Sequence, residues 1–114
     1  MTIGEVLGYL QADLLTPQAD LERQVHAGCG SDMMSDVLAY VKDQGVLLTG
    51  LNNPQVVRTA DMMDMVCIVF VRGKRPDDTL LALAHEKNIA VLATGLPMFT
   101  ACGLLYEQGL RGGL

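Results

Sequence analysis

Seven consecutive apolar residues, Met65-Val66-Cys67-Ile68-Val69-Phe70-Val71, constrain this chain more than any other stretch. The run is too short to span a bilayer. Its β-branched and aromatic content favours a strand. No polar residue alternates within it, so both faces must be covered, as in the centre of a parallel sheet. The turn Arg72-Gly73-Lys74-Arg75-Pro76 follows. Asp77 or Asp78 then starts a helix through Leu80, Leu81 and Ala84, which Asn88 can close.

The same strand–turn–helix plan recurs on either side. Leu21 to Ala27 alternates apolar and polar residues, which reads as a strand with one drier face. Gly28-Cys29-Gly30 then reads as its turn, and Ser31 and Asp32 as the start of a helix buried through Met33, Met34, Val37, Leu38 and Val41. Gly45 is placed to end that helix in a left-handed cap. Val46–Thr49 is the next strand, Gly50-Leu51-Asn52-Asn53 its turn, and Asn53-Pro54 a helix start. Ile89–Ala93 is a fourth strand, Thr94-Gly95-Leu96-Pro97 its turn, and Met98, Ala101, Leu104 and Leu105 the inner side of a last helix ending near Gly109. Ahead of all this, Thr2-x-x-Glu5 has the form of a capping box before Ile3, Val6, Leu7 and Leu10, and Thr16-Pro17 marks a break.

Strict alternation of strands and helices predicts an α/β fold of three layers, α/β/α, with a mostly parallel sheet of about four strands. The strand order expected is 2-1-3-4. Residues 1–114 form one domain on this reading, since no linker divides them. All four strand-to-helix turns then share one edge of the sheet, outside the carboxyl ends of the strands, where ligands of open α/β sheets bind.

Composition narrows the function classes. Half of the 114 residues are hydrophobic and 18% are charged, enough apolar material for a core. A net charge of −5 argues against nucleic acid as a partner. No apolar run reaches bilayer length, and the amino terminus lacks a secretory pattern, so a cytoplasmic location is expected. Three cysteines without a CxxC pair point to a reducing compartment and no disulfide framework.

The candidate site residues lie on the four turns. Gly28, Cys29, Gly30 and Ser31 could bind an anion through backbone N–H groups at a helix start, although Asp32 brings its own negative charge there. A tight turn with a cap is the plainer reading. Thr49, Gly50, Asn52 and Asn53 form the second segment, Arg72, Gly73 and Lys74 (with Arg75) the third, and Thr94 and Gly95 the fourth. The basic third turn suits a phosphate or carboxylate, and a solvated loop is the alternative. Cys29 at a helix start would have a raised thiolate fraction, but His26 is not placed to activate it. Cys67 and Cys102 read as core, and His85 as solvent-facing. No spacing matches a zinc or iron–sulfur site, and no acid–base or nucleophile constellation stands out. Neither a cofactor nor catalysis is expected.

Leu-Leu-Thr-Gly at 47–50, the turn with Pro-Asp at 73–77, and Ile-Ala-Val-Leu-Ala-Thr-Gly with Phe-Thr-Ala at 89–101 carry a resemblance. From about Leu21 to Leu105 the chain resembles the DRTGG domain. That family includes the N-terminal domain of HPr kinase/phosphorylase, a segment of some phosphotransacetylases, an insert in CBS-domain inorganic pyrophosphatases, and stand-alone forms associated with iron-hydrogenase genes. The family's Gly-Asp-Arg turn is here Gly50-Leu51-Asn52, and its Thr-Gly-Gly turn is Val71-Arg72-Gly73. The resemblance implies an HPr-kinase N-domain-like fold and a non-catalytic regulatory or accessory module that self-associates. A homodimer or a complex with a partner protein is expected, with Ile3–Leu10 and the methionine-rich helix supplying the interface. The alternative is a sensor that binds a nucleotide or other small anion along the carboxyl edge.

Overall fold

The computed structural model describes residues 1–39 and 43–113. In order they form α1 (Ile3–Tyr9), β1 (Asp13–Leu14), β2 (Ala27–Gly30), α2 (Met34–Val37), β3 (Gly45–Thr49), α3 (Gln55–Met62), β4 (Cys67–Phe70), α4 (Asp78–Glu86), β5 (Ala90–Ala93) and α5 (Met98–Glu107). The sheet order is β1-β5-β4-β3-β2. Strands β2 to β5 are parallel neighbours, and β1 joins β5 antiparallel with Leu14 opposite Leu92.

Period-two alternation divides the sheet between two cores. Val46, Leu48, Cys67, Val69, Ala90 and Leu92 face α1 and α5, where Ile3, Val6, Leu10, Ala101 and Leu105 close over them. Leu47, Ile68, Phe70 and Val91 face the other way, under Val37 of α2, Val56, Val57 and Ala60 of α3, and Leu80 and Ala84 of α4. The expected three layers and central β4 are present, and every residue of β3, β4 and β5 is buried.

Three expectations need correction. The four parallel strands lie in chain order, without the reversal that 2-1-3-4 required. Each strand is followed by its immediate neighbour, so right-handed crossovers place α2, α3 and α4 on one face. A fifth strand, β1, was absent from the sequence reading because two residues carry no periodicity.

The third correction concerns the first parallel strand. Gly28-Cys29-Gly30 is not its turn but the strand itself, with Cys29 opposite Leu47. Leu21 to Val25 instead pairs with the start of α1: Ile3 N–H donates to the Arg23 carbonyl at 3.0 Å and Gly4 N–H to the Leu21 carbonyl at 2.8 Å. Glycines serve β2 because other groups occupy the space of their side chains. A β-carbon at Gly28 would stand 2.9 Å from Leu110, and one at Gly30 2.5 Å from Cys102 Sγ.

Local signals fared well at most helix ends. Thr2 and Glu5 form the reciprocal capping box, and Asp77 accepts from Leu80 N–H at 2.9 Å. Asn53 accepts from Gln55 N–H at 2.9 Å, with Pro54 between them. Asn88 and Gly109 close α4 and α5 with positive φ. After α2 it is Gln44, at φ 54°, that turns left-handed, while Gly45 opens β3. Helix α2 has only four residues, so Val37 is buried while Met33 and Leu38 are exposed. Val41, expected on its inner side, lies outside the described residues.

Candidate functional site

The parallel strands end on one edge, and their four turns meet there. Asp32, just beyond β2, ties three of the strand ends together. Its Oδ1 accepts from Gly50 N–H at 2.7 Å and from the Thr49 hydroxyl at 3.2 Å. Arg72 Nη2 stands 3.5 Å from its Oδ2. The Gly50 amide above all, then the Thr49 hydroxyl and the Arg72 charge, hold the Asp32 carboxyl below the usual aspartate range against the opposing effect of partial burial.

Arg72 reaches Asp32 from a left-handed backbone, φ 58°, followed by Gly73 at φ 72°. Such a conformation is uncommon for a long side chain. The neighbouring turn fixes it: Arg72 N–H donates to the Leu96 carbonyl at 2.8 Å and Gly73 N–H to the Thr94 carbonyl at 3.0 Å. Gly50 permits the approach, since a β-carbon there would collide with the Arg72 guanidinium. Asn52 joins from the second turn, its Nδ2 donating to the Arg75 carbonyl at 2.7 Å, and Arg75 pairs with Asp13, the first residue of β1. Thr94 is buried, donating to the Leu10 carbonyl at 2.9 Å, whereas Gly95 is exposed. Lys74 is exposed and makes no ion pair among the described residues.

Gly28, Cys29 and Gly30 stand apart from this cluster along the open side of β2. Gly28 N–H donates to the Arg111 carbonyl at 2.9 Å, and Ser31 N–H to the Leu48 carbonyl at 3.0 Å. Cys29 is half-buried against the core beneath α2 to α4. Cys102 lies over Gly30 on the other face, and burial first, then Cys29, push its thiol pKa up. Burial pushes the Cys67 thiol far up. These two thiols are therefore held protonated. His26 and His85 are exposed. Among the described residues no group of three or more His, Cys, Asp or Glu side chains could hold a metal ion. No described helix is long and apolar enough to cross a membrane.

A second surface was missed by the sequence reading. On α5 the outward side carries Phe99, Gly103 and Tyr106, at the spacing of one helical stripe. Phe99 is 91% exposed and Tyr106 59%. Arg111 lies 3.9 Å over the Tyr106 ring and fixes it by a cation–π contact. The signal was available: α5 is apolar on both sides, more than one buried stripe requires. By contrast, Ile3, Val6 and Leu10 of α1 are buried, so the interface expected from them is not on the surface. Of the methionine-rich segment, Met33 and Leu38 remain available, 61% and 44% exposed.

No curated protein sequence matches the chain. Among solved structures, the CBS and DRTGG domains of the regulatory region of Clostridium perfringens pyrophosphatase, complexed with the activator diadenosine tetraphosphate, share its fold with a TM-score of 0.70. Identity is 16%, and the match covers 98% of this chain and 48% of that chain. The present chain thus corresponds to less than half of that regulatory region. The family model of the DRTGG domain matches residues 5–107, which include all five strands and all four turns. This chain belongs to the DRTGG domain family.

Proposed function

We propose that this chain is a non-catalytic regulatory or accessory domain that works by self-association through the outer face of α5. The exposed Phe99–Tyr106 stripe carries the reading. An apolar surface that the fold does not cover gains by being covered in an assembly. Two-fold pairing is the simplest arrangement for identical copies, because one patch then serves as both halves of the interface. Amide spectra recorded across a dilution series test it. The resonances of Phe99, Gly103 and Tyr106 should move with concentration while those of α3 and α4 stay fixed. Spectra independent of concentration would contradict self-association and turn attention to a different partner protein.

A second reading is supported by the carboxyl edge, where Gly50 N–H, the Thr49 hydroxyl and the Arg72 guanidinium converge on one negative group. There the domain would sense a nucleotide or other small anion. The pyrophosphatase region of like fold is described with a polyphosphate activator, which supplies the ligand class to try first. A ligand that binds only the folded state raises the melting temperature. An unchanged melting temperature at millimolar diadenosine tetraphosphate or ADP would remove that ligand class.

A further inference from the structure

Asp32 occupies a setting made for an anion. Three donors from two other turns meet its carboxylate: a backbone amide, a hydroxyl and a guanidinium. Arg72 takes a left-handed conformation, and its guanidinium lies where a β-carbon at Gly50 would stand. Yet the pair is open to water, since both side chains are 45% exposed. Exposed ion pairs are weak and exchange readily. Lys74, two residues from Arg72, adds a cation without an ion-pair partner among the described residues. Arg75 is already matched by Asp13.

We infer that Asp32 is a built-in competitor, its carboxylate holding the anion site of Gly50, Thr49 and Arg72 until a phosphate-bearing ligand displaces it. This rests on the second reading above and adds what keeps the site closed. A phosphate oxygen accepts from the same three donors, and a phosphate group brings more charge to Arg72 and Lys74 than one carboxylate does. Displacement also frees the Ser31–Met33 turn from its ties to the neighbouring turns. Binding would then be felt at the exposed Met33 and Leu38 beside α2.

Inorganic phosphate is the probe, titrated into the full chain while the Gly50 amide is followed by NMR. Asp32→Asn keeps an oxygen for Gly50 and Thr49 but removes the competing charge. It should bind phosphate at least about tenfold more tightly than the native chain, as expected for relieving a like charge in contact with the ligand. Arg72→Gln in the same background should abolish the gain. Should the asparagine variant fold poorly, Asp32→Ser is the second neutral variant and should behave likewise. Equal affinity of native and neutral variants would overturn the competitor role while leaving an anion site in place. No response of Gly50 in any variant would overturn the role and the anion reading together.

Discussion

At the scale of single residues, missing side chains position this protein's unusual features. Gly30 has no room for a β-carbon, which would stand 2.5 Å from Cys102 Sγ and 3.2 Å from Met98 Sδ. The Cys102 sulfur is at the end of a short side chain on a packed helix and has little freedom to yield. Gly30→Ala should therefore destabilise the domain by about 1–3 kcal/mol, the usual cost of overpacking. Urea denaturation checks this, and a second substitution makes the cause visible. With Cys102→Ala the closer obstruction is gone and only the flexible Met98 end remains, so the double variant should be more stable than the sum of the single effects by on the order of 1 kcal/mol. Strictly additive effects would assign the role of Gly30 to backbone freedom instead. In the Asp32 cluster, the Arg72 guanidinium lies where a β-carbon at Gly50 would stand, but it ends a flexible side chain that can yield.

At the scale of elements, periodicity was legible and its exceptions were not. The run Met65–Val71 identified β4, and the caps at Thr2, Asn53 and Asp77 marked helix starts within a residue or so. Strand β2 was misread because glycine ordinarily weakens a strand and signals a turn. Nothing in its own four residues reveals that α5 and Leu110 fill the space beside it. Strand β1 is held by a contact no local pattern discloses. The Thr16 hydroxyl, read in sequence only as the residue before a proline, accepts from the buried Val91 N–H at 3.1 Å. Thr16→Val keeps the shape and removes that acceptor. It should cost about 1–3 kcal/mol by leaving a buried donor unsatisfied. Faster amide exchange at Val91 would localise the loss to the junction of β1 and β5, and an unaltered unfolding midpoint would show that water serves Val91 equally well.

At the scale of the whole molecule, chain order decides which surfaces are available. Strands β2 to β5 follow one another across the sheet, so three helices fill one face and leave the other to α1 and α5. The candidate edge was legible in outline, since four strand-to-helix turns must share one end of a parallel sheet. Its centre was not: Asp32 entered the sequence reading as a charge opposing anions, and only the fold brings it to Thr49, Gly50 and Arg72. The α5 face was hidden for a similar reason. The two apolar sides of α5 can be counted in sequence, but which of them the sheet covers depends on the topology. The proposed role in assembly rests on that face, and the mass of the protein in solution tests it most directly. Light scattering on the native chain should give twice the chain mass at high concentration, and Phe99→Asp should give the single chain mass with an unchanged circular dichroism spectrum. A native protein that stays at the single chain mass up to millimolar concentration, or a Phe99→Asp variant that still dimerises, would contradict the account.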